Sequence, residues 1–311
     1  MVFLTAFSVL FPLFAKIGLG WGVRQLGIIG EETIDELNNV VFRILLPVLL
    51  FINIYQSDFT SITNFDFLLF SVLALMGFFF ITLAIVPHFS SEDSRRGVMV
   101  QGIARSNFIF FGLPMAQSLF GGTSLGLSSI LVGVLTPVLN LISILSLEYF
   151  RGGKADKKKL VKSVVGNPVL IGGMLGVLML VFHIPLPQLI VDFLVSVGDL
   201  ATPLALMLLG SSVKMTSMKK NRRALIAGTL SRLIIMPAAG IALSVALGFR
   251  GLELILLMSL FASPTSVNSY TMAQQMDGDT ELAVQLVVIT TVLSLFTLLG
   301  WISLLMRLGY F

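Results

Sequence analysis

Arg105-Ser106-Asn107-Phe108-Ile109-Phe110-Phe111-Gly112-Leu113-Pro114 lies in the middle of one long apolar stretch, and Ala262-Ser263-Pro264-Thr265-Ser266-Val267-Asn268-Ser269 lies in the middle of another. Both place proline and polar groups where an apolar helix would otherwise run on. Proline removes a backbone donor and crowds the carbonyl four residues earlier, and Gly112 loosens the chain further. Each stretch therefore predicts a helix that breaks partway and frees backbone amides and carbonyls. In hydrocarbon such groups are tolerated only beside protein or a water-filled cavity. A plain proline kink is the alternative for either stretch alone.

The sequence around the two stretches belongs in lipid. Of 311 residues, 56% are hydrophobic and 12% charged, with a mean hydropathy of +0.98, which a soluble domain could not sustain without large exposed apolar patches. A spanning helix takes roughly 20 apolar residues. Stretches at 3–22, 37–55, 66–87, 97–120, 124–149, 164–184, 188–213, 224–248, 252–275 and 281–306 meet that need, which predicts an all-α membrane protein of ten transmembrane helices. No separate soluble domain fits between them. The first stretch lacks a preceding basic segment and reads as a retained helix rather than a signal peptide. Cysteine is absent, which removes disulfides and thiolate chemistry. The net charge of +4 does not point to nucleic acid, because the basic residues cluster in loops, where they set topology.

With the N-terminus outside, fourteen of the basic residues fall on one side: Arg24, Arg95, Arg96, Arg151, Lys154, Lys157, Lys158, Lys159, Lys162, Lys214, Lys219, Lys220, Arg222 and Arg223. Arg250 and Arg307 fall on the other. Both termini are thus expected outside and the central basic loop in the cytoplasm of a cell that carries this multi-pass protein in its inner or plasma membrane. That loop divides the chain into a first repeat (1–150), a basic linker (151–163) and a second repeat (164–311). Five spans in each half force opposite orientations, the inverted-repeat plan of many alternating-access carriers. Met115-Ala116-Gln117 with Gly121, Thr123 and Leu125 recurs as Met272-Ala273-Gln274 with Gly278, Thr280 and Leu282, at a constant offset of 157.

The two breaks define a candidate substrate site. Half-helices offer positive N-terminal dipoles and free amides to an anion. Asn107, Ser106, Gly112, Pro114, Ser263, Pro264, Thr265 and Asn268 would form a polar pocket between them. Ionisable groups at membrane depth are costly and need a partner or a purpose. Arg105 is the candidate for attracting the anion, with pairing to an acid or a helix C-terminus as its alternative. Asp199 would carry a coupling proton or cation, or neutralise a nearby base. Lys16 and Arg43 read as side chains snorkelling to the surface, while Arg232 lies deeper in its span. Pro47 and Pro203 read as kinks of packed helices, with Asn53 able to reach a central cavity. Glu148 is expected to pair with basic neighbours. No His-Glu-x-x-His metal motif, P-loop or Gly-x-Ser-x-Gly elbow occurs, so no enzyme, cofactor or metal site is expected.

Asn107-(x4)-Gly112-Leu113-Pro114 followed by Leu119-Phe120-Gly121, together with Asn167-Pro168, Pro203-Leu204-Ala205-Leu206 before Gly210, Pro264 and Glu148-Tyr149, resembles the auxin efflux carrier family, which includes plant auxin carriers and bacterial malate or malonate permeases. The resemblance covers nearly the whole chain. It implies two inverted five-helix repeats whose broken fourth and ninth helices cross at the substrate site. It also implies a scaffold of the first, second, sixth and seventh helices, a moving unit of the others, and a homodimer. Asn107, Pro114 and Pro264 would line the crossover, with Asn140 in the fifth helix as a neighbouring contact. The plant carriers' long central loop is replaced here by a short basic linker.

The reading that unites these features is a secondary transporter that moves a small organic anion, a mono- or dicarboxylate, across the bilayer by alternating access, with proton or sodium coupling left open. A membrane sensor or lipid-binding protein of the same fold is the alternative from another class, and a channel is a third.

Overall fold

A computed structural model of the chain describes residues 2–57, 64–120, 125–151, 162, 164–213 and 221–310, with the side chains of 2–10, 110–114, 118 and 125 outside the description. The linker expected at 151–163, apart from Arg151 and Lys162, lies outside it, as do Lys214, Lys219, Lys220, Gly121 and Thr123. The regular elements among the described residues are all helices, with no strand among them. In chain order the helices are α1 (Val2–Gln25), α2 (Glu31–Tyr55), α3 (Phe65–Ile85), α4 (Asp93–Ala104), α5 (Phe108–Phe120), α6 (Leu125–Phe150), α7 (Pro168–Val181), α8 (Gln188–Ser211), α9 (Arg222–Ala246), α10 (Gly251–Ala262), α11 (Asn268–Gln275) and α12 (Thr280–Arg307). Six of them, α2, α6, α8, α9, α12 and α3 with its 3₁₀ extension to His88, are long and apolar enough to cross a membrane. Pro168–Val181 and Gly251–Ala262 are shorter apolar helices. The chain is a multi-pass membrane protein.

The starts of two helices follow from single side chains. Asn167 caps α7 by accepting from the Val169 amide at 3.0 Å, with Pro168 in the first turn, where its missing N–H costs nothing. Asp279 caps α12 by accepting from the Leu282 amide at 2.9 Å. Two prolines leave wider, π-helical turns ahead of them, at Val41–Leu45 before Pro47 and at Ser231–Ile235 before Pro237. Pro237 cannot donate to the Leu233 carbonyl four residues earlier, and the Trp301 indole N–H fills that place at 3.1 Å.

α1 packs along α8, and α2 along α7. Glycine sets the closeness of both pairs. A Cβ on Gly210 would stand 1.9 Å from the Ile17 carbonyl oxygen, and one on Gly172 would stand 2.4 Å from that of Pro47. Large apolar side chains of α3, α7 and α8, such as Leu73, Phe80, Leu175 and Phe193, stay exposed, as lipid-facing surfaces require. By contrast α10 is buried from Leu254 to Ala262, and α4 from Gly97 to Ala104.

Those two wrapped helices end where the sequence places the breaks, with one correction. The fourth stretch opens at Arg105-Ser106-Asn107, ahead of Gly112 and Pro114; the helix resumes at Phe108 and continues through Pro114. The cause is pairing with the other break rather than proline. The Asn107 amide donates to the Pro264 carbonyl at 2.9 Å and the Ser266 amide to the Arg105 carbonyl at 3.2 Å, an isolated antiparallel bridge of Ser106 with Thr265. The Arg105 amide still closes the last turn of α4 on Gln101 at 2.8 Å, whereas the Asn107 amide, which would have extended the helix, is spent on the second break.

Candidate functional site

A cavity of about 380 Å³ lies against this crossing. Its polar lining comes from Lys16 of α1, Asn53 of α2, Arg105, Ser106 and Asn107 of the first break, Thr136 and Asn140 of α6, Asp199 and Thr202 of α8, and Ser266 and Asn268 of the second break. Leu46, Leu49, Leu50, Ile109, Leu139 and Pro203 supply the apolar part. Asn107 and Ile109 flank the first turn of α5, and Ser266 and Asn268 flank that of α11. Both second half-helices thus begin at the cavity, where their dipoles are positive.

The charges around the cavity do not cancel. Arg105 is 3% exposed, and among the described residues no carboxylate oxygen lies within 4.0 Å of it. Its partners are neutral: Nη2 donates to Asn140 Oδ1 at 2.8 Å and Nη1 reaches the Met272 sulfur at 2.7 Å. Asn140 is itself fixed by donating to the Thr136 carbonyl at 2.8 Å. With Lys16 and one acid, Asp199, the lining bears a formal charge of +1. Next to Arg105, the Asn107 carboxamide nitrogen and the Ser106 hydroxyl are buried with no hydrogen-bond partner in the protein. Unpaired buried donors cost about 1–3 kcal/mol each, and here two of them sit in a cavity wall, where an oxygen ligand would satisfy them.

Of the residues expected to form the site, Arg105, Ser106, Asn107, Asn140, Asn53, Asn268 and Asp199 come together on the cavity. Ser263, Pro264 and Thr265 lie in the second break but are turned into protein. Ser263 Oγ donates to the Ser259 carbonyl at 2.5 Å, and Thr265 Oγ1 to the Gly102 carbonyl at 2.7 Å. Gly112 and Pro114 lie among the residues whose side chains are outside the description. One expectation is corrected. Lys16 lines the cavity instead of snorkelling, because α1 turns that face toward α8 and the crossing. Pro203 lines it as well, since the kink it marks lies beside Asp199. Sequence reasoning passed over Thr136, Thr202 and Ser266; their only signal was a hydroxyl at membrane depth.

One end of the bundle is closed by polar ties between distant segments. Asn38 of α2 donates to Gln274 of α11, which donates to Asp35, and Tyr270 of α11 shares a 2.7 Å hydrogen bond with Ser212 beyond α8. At the same end Arg95 pairs with Asp279 at 3.0 Å, and Arg151 bridges Glu148 at 2.9 Å and Asp277 at 2.6 Å. Partial burial works against the Arg151 charge, but its hydrogen bonds to Asp277 and Glu148 outweigh that and raise its pKa above the ordinary value.

Comparison with known proteins points the same way as this geometry. The family described as membrane transport protein matches residues 5–302. A protein of Methanothermobacter thermautotrophicus named as an uncharacterized transporter is 25% identical over 308 residues, covering 97% of this chain and 99% of that one. An uncharacterized transporter of Methanocaldococcus jannaschii is 27% identical over 295 residues, covering 92% of this chain and 95% of its own.

Proposed function

Because the chain belongs to the membrane transport protein family, that of the auxin efflux carriers, we propose that it is a secondary transporter whose cargo is a small organic anion, a mono- or dicarboxylate, bound in the cavity beside the crossing helices. The observation that supports this most is Arg105. A guanidinium 3% exposed, held by the neutral Asn140 and unpaired with any described carboxylate, stands beside the unpartnered Asn107 nitrogen in a cavity large enough for a small organic acid. A carboxylate entering there gains a charge-assisted pair, the Asn107 donor and the positive starts of α5 and α11. Asp199, on the cavity wall, is the group placed to carry a coupling proton.

Alternating access then takes the following form. Residues 1–150 and 164–311 act as inverted repeats joined by the 151–163 linker, with both termini outside and the basic loops in the cytoplasm. The scaffold of α1, α2, α7 and α8 holds against a second chain in a homodimer, and the remaining helices move. The Asn38–Gln274 and Ser212–Tyr270 ties join the scaffold to the moving unit at the basic end, so they break when the cavity opens to the cytoplasm.

A thermal-shift series of mono- and dicarboxylates tests the site. A ligand stabilises the state it binds by an amount set by its concentration over its affinity, about 2.7 kcal/mol at a hundredfold excess over Kd. At least one carboxylate should raise the unfolding temperature of the native chain and fail to do so for Arg105→Ala. Equal shifts in both proteins would remove the carboxylate from this cavity.

A further inference from the structure

Arg232 is 0% exposed, sits on the π-helical turn of α9 and faces the crossing from the side away from the cavity lining. All three of its nitrogens donate to backbone carbonyls at the ends of the first half-helices. Nη1 reaches Ile103 of α4 at 2.9 Å, Nη2 reaches Leu260 of α10 at 2.9 Å, and Nε reaches Ser263 just beyond α10 at 2.7 Å. The carbonyls of Ile103 and Leu260 have lost their helical donors, and that of Ser263 lies in extended backbone beyond the helix. Ile103 would have been served by the Asn107 amide, which goes to Pro264 instead. Leu260 would have been served by residue 264, a proline without an N–H. The neighbouring carbonyls are taken as well: Gln101 by the Arg105 amide at 2.8 Å, Gly102 by Thr265 Oγ1 at 2.7 Å, and Ser259 by the Ser263 amide at 3.1 Å. Among the described residues no carboxylate oxygen lies within 4.0 Å of Arg232.

Helix C-termini and unwound carbonyls are where broken-helix carriers coordinate a coupling metal cation, because the partial charge there is negative. In this chain those oxygens already surround a covalently attached cation that cannot leave and that stays charged at any physiological pH. We infer that Arg232 is the resident cation of the crossing: it occupies the place of a coupling sodium ion at the two half-helix C-termini, and it joins α4 and α10 into one body. Transport then needs no sodium at the crossing. The inference rests on the carrier reading for its transport consequence and on geometry alone for its structural one, so the two can fail separately.

Two measurements on the full-length chain test it. The first is thermal unfolding of the wild type, Arg232→Ala and Arg232→Lys at equal ionic strength, with and without millimolar methylguanidinium, a free copy of the missing head group. Arg232→Ala should unfold at a lower temperature and be shifted upward by methylguanidinium, while the wild type stays unmoved. Arg232→Lys, with one compact ammonium in place of the fork, should fall between the two. A wild-type unfolding temperature in Arg232→Ala would overturn the inference, and so would a methylguanidinium shift that is the same in all three proteins. Failure of Arg232→Ala to fold leaves the decision to Arg232→Lys, where a wild-type unfolding temperature would overturn the inference and a lowered one support it. The second measurement is carboxylate uptake by wild-type proteoliposomes with sodium replaced by potassium. The initial rate should change by less than about twofold; a drop of about tenfold or more, the equivalent of 1.4 kcal/mol of coupling, would overturn the inference. Absence of any carboxylate flux counts against the carrier reading, and the unfolding series then decides on Arg232 by itself.

Discussion

The Arg105 guanidinium donates through Nη2 to the carboxamide oxygen of Asn140, 35 residues further along the chain, at 2.8 Å. The pair turns a buried positive charge toward the cavity without neutralising it. An amide fixes the guanidinium in place, whereas a carboxylate at the same atom would take up its charge.

Asn140→Asp tests that difference. The new carboxylate would pair with Arg105 at hydrogen-bonding distance and compete with the cargo. The half-saturating carboxylate concentration should rise about tenfold or more, since a charge-assisted pair is worth at least the 1.4 kcal/mol that tenfold represents. Asn140→Gln, still neutral, should rise far less. Concentration-dependent uptake in proteoliposomes reads both.

Trp301→Phe removes the donor that replaces Pro237 at the Leu233 carbonyl. A buried carbonyl left without a partner costs about 1–3 kcal/mol. The variant should unfold at a lower temperature, with its half-saturating concentration unchanged, because Trp301 is not among the cavity lining.

Gly210→Ala sets a Cβ 1.9 Å from the Ile17 carbonyl, whereas a Cβ on Gly18 meets nothing within 4 Å. Forcing α1 and α8 apart should cost about 1–3 kcal/mol or more and lower the yield of folded protein. Gly18→Ala, in the same helix as Ile17, should leave yield and unfolding temperature unchanged. Size-exclusion profiles of the two variants check this directly.

The main lines of this arrangement were legible in the sequence. Hydropathy located the apolar stretches, although α2 starts at Glu31 rather than 37, and polar groups beside proline marked the two stretches that break into separate helices. Arg105 and Asn107 carry their own signal, a charge and a carboxamide at membrane depth beside the break, whereas Asn140 is indicated only by the family resemblance. The exact opening in the fourth stretch was not legible, because Arg105 to Asn107 leave the helix to pair with Pro264 to Ser266, and such a pairing has no local signal. Lys16 was misread for a related reason: snorkelling and cavity lining differ only in which neighbour the helix face meets. Arg232 was visible as a deep charge, but its partners are backbone carbonyls 28 to 129 residues away. Sequence shows side chains and hides which carbonyls a distant break has freed.

Asn38→Ala and Ser212→Ala remove the ties from α2 and α8 to α11. With both gone the cavity should open more often toward the basic end. A cysteine placed at Thr202, on the cavity wall, should then react faster with a membrane-impermeant thiol reagent applied from the cytoplasmic face; the absence of native cysteine makes this readout clean. An unchanged rate would place the closure elsewhere.

Counterflow in proteoliposomes tests the central claim most directly. Vesicles loaded with an unlabelled carboxylate should transiently accumulate the labelled compound above its equilibrium level, as a carrier does and a channel or sensor does not. In Asn107→Ala that accumulation should fall at least about tenfold, the loss of one hydrogen bond to a charged group. No counterflow for any mono- or dicarboxylate, or full counterflow in Asn107→Ala, would contradict the account.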